Sequence, residues 1–173
     1  GLPTGIGGDD KAGVFICLQL LEKFDVIKGF FPVAEETGCH GSRGAKEDFF
    51  KDVGYAIQFD STENDTMSLS LMGTQLFEQD SEFFNKTKGL ILEHGFTEWR
   101  HHPYTDTMVL KERFNFACLN FAAGYYNYHT DNEYVIVEDV LNSTLLGESV
   151  IKELGNEFYE FKVPKKGSFG WFD

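Results

Sequence analysis

The sequence predicts an α/β domain with a mixed, largely parallel central sheet flanked by helices in three layers. Two observations carry this. Short apolar runs bounded by glycine alternate with longer segments of helical apolar spacing. Acidic and imidazole residues then fall at or just beyond the ends of those runs, where ligands gather in such sheets.

The elements follow in order. Gly5 to Asp10 is a glycine-rich turn, and Val14, Cys17, Leu18 and Leu21 recur at helical spacing, predicting a helix over residues 11–23. Residues 30–35 form an apolar run too short for a helix, read as a buried strand ending at Glu35 and Glu36. Gly38 to Lys46 should hold a turn and a short helix. Val53 to Phe59 reads as a strand ending at Asp60, and Met67 to Met72 alternates like a half-exposed strand. Phe83, Phe84, Thr87, Leu90, Ile91 and His94 mark a helix over residues 79–94. Phe114 to Phe121 is a further strand with a loop from Gly124. Val137, Val140, Leu141, Leu145 and Ile151 suit a long helix closed by Gly155. Residues 158–161 could add a strand edge, and Gly167 to Asp173 shows no period.

At 173 residues the chain is read as one domain. The hydrophobic fraction is 42% and the charged fraction 25%, an ordinary globular mix, and no apolar run is long enough to span a bilayer. A net charge of −13 without a basic patch argues against nucleic acid or an anionic membrane as partner and favours neutral or cationic ligands. Cys17, Cys39 and Cys118 lack CxxC spacing and read as small buried hydrophobes, which fits a reducing, cytoplasmic setting.

The chemistry lies in the carboxylates. A pair of divalent cations needs oxygen ligands, imidazole and a carboxylate able to bridge. Hydrolysis also needs a base that is not itself consumed as a ligand. Adjacent carboxylates on an extended segment, Glu35 and Glu36, point to different sides and so divide those roles. Taken singly, each piece has a plainer reading. A Glu pair is usually a solvated face, Asp9-Asp10 before a helix is usually a cap, and His129 in a tyrosine-rich loop is usually surface. Their order and their placement at element ends argue otherwise.

Gly8-Asp-Asp-Lys-Ala-Gly13, Val33-Ala-Glu-Glu-Thr-Gly38 with Gly41-Ser42, Phe59-Asp60, and Gly124-Tyr-Tyr-Asn-Tyr-His-Thr-Asp-Asn-Glu133 occur in that order. Together they resemble the co-catalytic dizinc exopeptidases, the superfamily of peptidase T and the bacterial leucyl aminopeptidases. The resemblance spans about three-quarters of the chain. It implies a metal-dependent exopeptidase that removes N-terminal residues from short peptides through a metal-bridging water. Asp9 would bridge two zinc ions, Glu36 and His129 would complete one site, Asp60 would serve the other, and Glu35 would be the general base. Asp10 would not be a ligand. Manganese or cobalt could replace zinc.

Two departures bear on this. The family's first ligand, a His in an H-x-D motif, lies upstream of the Asp-Asp-Lys motif, and only Gly1 to Gly8 precede Asp9 here. The chain is therefore expected to be truncated at its N-terminus, with one complete half-site. Only 68 residues separate Asp60 from His129, too few for a dimerisation lid, so a lid-less branch is expected, with Thr105-Asp106 resembling its Ser-Asp segment. The alternatives are an inactive or single-metal binding module of the same fold, or a related deacylase or carboxypeptidase. Besides a short peptide substrate, the partners to expect are a second copy of the chain in a homo-oligomer or a missing N-terminal segment. His40, Tyr126 and Tyr128 are the candidates for lining a substrate pocket. His94, His101 and His102 are ligands only in principle, since the run Trp99 to Pro103 reads better as an exposed loop; Lys11 and Arg43 could meet a substrate carboxylate, but solvated or surface-paired charges are the plainer account.

Overall fold

Glycine and small residues let helix and strand meet closely at the start of this fold. In α1 (Gly8–Lys23) the backbone of Asp9 and Asp10 is non-helical, so the regular helix begins at Lys11. Ala12, Gly13, Ile16 and Leu20 face the core. A Cβ built on Gly13 would lie 2.0 Å from the backbone oxygen of Phe59, so only glycine allows this approach. Gly13→Ala is therefore expected to cost about 1–3 kcal/mol through overpacking, read as a lower urea midpoint at unchanged slope. A midpoint equal to the wild type's would show that the contact relaxes freely.

The computed structural model describes residues 5–102 and 105–162. After α1 come two single-turn helices, α2 (His40–Arg43) and α3 (Glu47–Phe50), then β1 (Tyr55–Ser61), β2 (Thr66–Leu71), β3 (Thr74–Gln75) and α4 (Glu82–Glu93). The chain continues through β4 (Glu98–His102), α5 (Asp106–Phe114), β5 (Ala117–Ala122), β6 (Tyr125–Tyr126), β7 (Tyr134–Val135) and α6 (Val137–Leu154). Five strands form one sheet in the order β1-β5-β2-β3, with β4 on β2. The β1–β5 and β2–β4 ladders are parallel and hold most of the paired residues, while β2 meets β3 and β5 antiparallel. This is the mixed, helix-flanked α/β class expected from the sequence. α1 packs on α6 and α6 on α4, while α5 lies against β5 and β1.

β5 is buried along its whole length, as a central strand with covered faces must be. Phe121 packs tilted against Phe59 and edge-on against Phe96, with centroids 5.9 and 5.3 Å apart, and all three are nearly inaccessible. Ser81 caps α4 by accepting the Phe84 amide at 3.3 Å. Tyr159 gives its carbonyl to the Ala117 amide at 2.8 Å, so residues 158–161 do edge the sheet, through a single bridge.

The structure corrects several expectations. Residues 30–35 form no strand, because among the described residues no neighbour offers them a ladder, and Ala34 takes φ 58°. Phe31 and Val33 are exposed there, while Phe30 packs against Phe49 and Phe50. β2 is largely buried rather than half-exposed, since it lies between β4 on one edge and β5 and β3 on the other. Trp99 to His102 belong to β4 and not to a loop, with the His101 ring 2.7 Å from Ser70 Oγ. α5 breaks the stretch before β5, which starts at Ala117 and not at Phe114. The helices α1 and α6 stand where periodicity put them, but Val14, Leu18, Val137, Leu141 and Leu145 face outward. Both helices are apolar on more than one side, so spacing alone did not select the buried face. Gly167 to Asp173 lie outside the described residues. None of the helices described is long and apolar enough to cross a membrane.

Candidate metal centre

Three segments far apart in sequence bring their donors together. Asp9 sits in the non-helical turn that opens α1. Glu35 and Glu36 occupy a tight turn before α2, closed by the Gly38 and Cys39 amides on the Glu35 carbonyl, both at 2.9 Å. His129 is on the loop between β6 and β7, with φ 60°. His129 Nε2 lies 2.9 Å from Asp9 Oδ2 and 2.9 Å from Glu36 Oε1. One donor atom from each of the three residues falls within 4.8 Å of the others. Among the described residues no other group of three His, Cys, Asp or Glu side chains converges in this way.

The neighbouring Asp10 does a different job. Its Oδ1 accepts the Gly13 amide at 2.9 Å, capping the first regular turn of α1. Asp60 is held at the end of β1, its Oδ2 accepting from Gln58 Nε2 at 3.0 Å and its amide donating to Asn120 Oδ1 at 3.1 Å. Gln58 is held in turn by Thr105 Oγ1 at 2.9 Å and the Thr107 amide at 3.0 Å. Asp60 lies outside the converging triad but lines the same open cleft of about 800 Å³ as Asp9, Asp10, Glu35, Glu36 and Asp106.

Carboxylates gathered at one cleft repel each other and resist ionisation. Burial, then Glu36, Asp106 and Asp9, push the Glu35 carboxyl up to about 7. Burial, then Glu35 and Asp9, raise Asp60. Asp10 is driven well above the usual range by burial and then by Asp60, and Asp9 is raised by burial and then by Glu36. The hydrogen bond to Glu36 is the chief reason that His129 holds its proton more tightly than a free imidazole. The cations lining the cleft, Lys11 and Lys28, are engaged elsewhere: Lys11 donates to the Ile6 carbonyl at 2.7 Å, and Lys28 pairs with Asp52. Two carboxylates and one imidazole converging in this setting form a donor set that fits zinc with a coordination position left open, and suits manganese or cobalt as well.

The pocket candidates divide. Tyr128 packs edge-on against the His129 ring, with centroids 4.8 Å apart. Tyr126 stacks on Tyr134 within the β6–β7 hairpin and donates to Asp139 Oδ2 at 2.6 Å, so its polar end is committed to α6. His40 is exposed at the start of α2 and is not among the residues lining the cleft. Sequence reasoning left Glu133, Gln58, Asn120 and Ser42 without roles. Gln58 was findable, since it shares a strand face with Asp60 two residues on. Asn120 was too, as a polar side chain inside an apolar run. Ser42 donates to the buried Asp106 carboxylate across 64 residues, and nothing local announces that pair.

The chain is similar in fold to an aminopeptidase, APDkam598, from the archaeon Desulfurococcus kamchatkensis, with a TM-score of 0.61 and 18% sequence identity. The match covers 87% of this chain and 49% of the other, so the chain spans about half the length of that aminopeptidase. No family model and no curated protein matches the sequence.

Proposed function

We propose that this chain carries the general base and one metal half-site of a zinc-dependent exopeptidase that removes N-terminal residues from short peptides. The observation that supports it most is the convergence of Asp9, Glu36 and His129 within 4.8 Å, with Glu35 lining the same cleft as Asp9 and Glu36. The fold shared with an archaeal aminopeptidase agrees with this reading.

Asp9, Glu36 and His129 would hold the cation, and Asp60 would serve a second one. A bound divalent ion supplies Lewis acidity, polarising a carbonyl and making water easier to deprotonate. Glu35 takes the proton of the attacking water and later passes it to the leaving amine. Its partial burial suits this, because a base poised near neutral pH both accepts and returns a proton readily. The acidic cleft suits a substrate's free ammonium group. With Lys11 and Lys28 engaged, no described lining cation stands ready for a terminal carboxylate, which favours action from the amino end.

Because Asp60 stands outside the triad, a single-metal binding module is the second reading. Zinc titration of chelator-treated protein, followed by calorimetry and metal counting, decides between them. One or more zinc ions per chain are expected, and His129→Ala should weaken the triad site by at least about tenfold. Wild-type protein that takes up no zinc would overturn the proposal. A count of one per chain without peptidase turnover would select the binding module.

A further inference from the structure

We infer that Glu133 is a positioning residue that clamps the Asp9 turn, so that one loop grips Asp9 at both its ends. Glu133 Oε2 accepts the Gly7 amide at 2.7 Å and Oε1 accepts the Asp9 amide at 2.8 Å. Glu133 is 9% exposed, and its carboxylate reaches these amides across more than 120 residues of chain. Four residues earlier in the same loop, His129 Nε2 lies 2.9 Å from the Asp9 carboxylate. The segment from His129 to Glu133 thus meets the main chain of Asp9 with an anion and its side chain with an imidazole.

The glycines of the turn are shaped to this carboxylate. A Cβ on Gly5 would lie 2.5 Å from Glu133 Oε2, and one on Gly8 would lie 3.2 Å from Oε1 and 2.7 Å from Val135. Successive backbone amides curving around one anion form a concave site in which charge-assisted bonds are strong. A glycine-rich turn has many conformations open to it, and filling its centre with a tethered carboxylate selects one. That conformation places the Asp9 carboxylate against His129 and Glu36. The consequence for metal affinity rests on the proposed metal site, whereas the clamp itself does not.

Glu133→Gln keeps the shape but sets an NH2 group against one of the two amides, so one bond is lost and a donor faces a donor. Zinc titration of the chelator-treated variant should show an affinity about 10–100-fold below wild type, as for other groups that orient a ligand. Hydrogen exchange by NMR provides the second readout. The Gly7 and Asp9 amides should exchange at least about tenfold faster in the variant, while Val150 and Leu154 in α6 keep their wild-type rates. Wild-type zinc affinity in Glu133→Gln would overturn the inference, as would faster exchange in α6 to the same degree. If the variant does not fold, the wild type decides: slowed exchange at both Gly7 and Asp9 sustains the clamp, and free exchange at either overturns it. Wild-type protein that binds no zinc would instead defeat the metal-site reading, and the exchange rates would still judge the clamp.

Discussion

Glu35→Gln should leave the zinc content of the protein unchanged and lower peptidase turnover by about 10²–10⁴-fold, the usual worth of a positioned general base. The expectation follows from the division of labour in the Glu35-Glu36 turn. Glu36 Oε1 is 2.9 Å from the His129 ring and belongs to the converging donors, while Glu35 lies outside that group. Glu35 is instead half-buried in the cleft wall, its Oε1 3.9 Å from the Cys39 thiol, and burial is the largest reason that its proton is held up to about pH 7. Glutamine preserves volume and hydrogen-bonding shape but takes no proton from water, so it removes the base and little else. Steady-state rates on a short peptide, with metal counted in the same samples, separate the outcomes. Turnover within tenfold of wild type would show that Glu35 is not the base. Loss of zinc together with turnover would make it a ligand instead.

The Glu35-Glu36 turn also shows what the sequence could and could not convey. The apolar run before it was read as a strand because its composition and its bounding glycines favour one. A strand is a property of a pair, however, and among the described residues no strand pairs with residues 30–35, whose carbonyls accept instead from the turn that follows. The two carboxylates are aimed by the amides that close on the Glu35 carbonyl, not by strand alternation. Helix positions were legible because a period of 3.6 survives without knowledge of the partner. Which face is buried was less so, since Val14, Leu18, Leu141 and Leu145 carry the same apolar signal as Ile16, Leu146 and Val150 and yet face outward. The difference lies in where the sheet sits.

The site itself was half legible. Asp9, Glu36 and His129 were named from a motif resemblance, and geometry brings them together. The partners that hold the Asp9 turn and the cleft's Asp106 were not named, because Glu133 to Gly7 and Ser42 to Asp106 are pairings between distant segments. A carboxylate in a loop gives no local sign that it will end on backbone amides more than 120 residues away. Gln58 and Asn120 were within reach of sequence reasoning, because each breaks an expectation about its own strand. Polar groups inside apolar strands have to find partners, and here both find Asp60.

Stripped of metal, the protein should become less stable as the pH rises from 5 to 7, and saturating zinc should abolish that loss. Glu35 has a folded-state value of about 7 against 4.5 for the ordinary side chain, through burial first and then its neighbours' charges. Asp9, Asp10 and Asp60 are raised as well, again with burial as the first cause. A carboxyl that binds its proton more tightly when folded stabilises the fold at low pH, and that stability is lost as the pH climbs toward its folded value. His129, raised above 6.5, acts in the same direction. For Glu133, burial opposes ionisation, but the Asp9, Gly7 and Gly8 amides outweigh it and lower its value, so its opposite effect belongs below about pH 4.5 and outside this window. Each fully differential group contributes at most about 1.4 kcal/mol per pH unit. For a chain of this size about 1 kcal/mol moves the melting temperature by roughly 2–4 °C. Chelated protein should therefore melt several degrees lower at pH 7 than at pH 5. A cation among the carboxylates reverses the balance, because its ligands must be ionised to bind it. At about a thousand times its dissociation constant it would add about 4 kcal/mol. Melting curves at pH 5, 6 and 7, with chelator and with zinc, test both halves. A chelated protein whose melting temperature is flat or rising over this range would mean that the carboxylates do not confront one another when the protein is folded. The electrostatic case for a cation in the cleft would then fail.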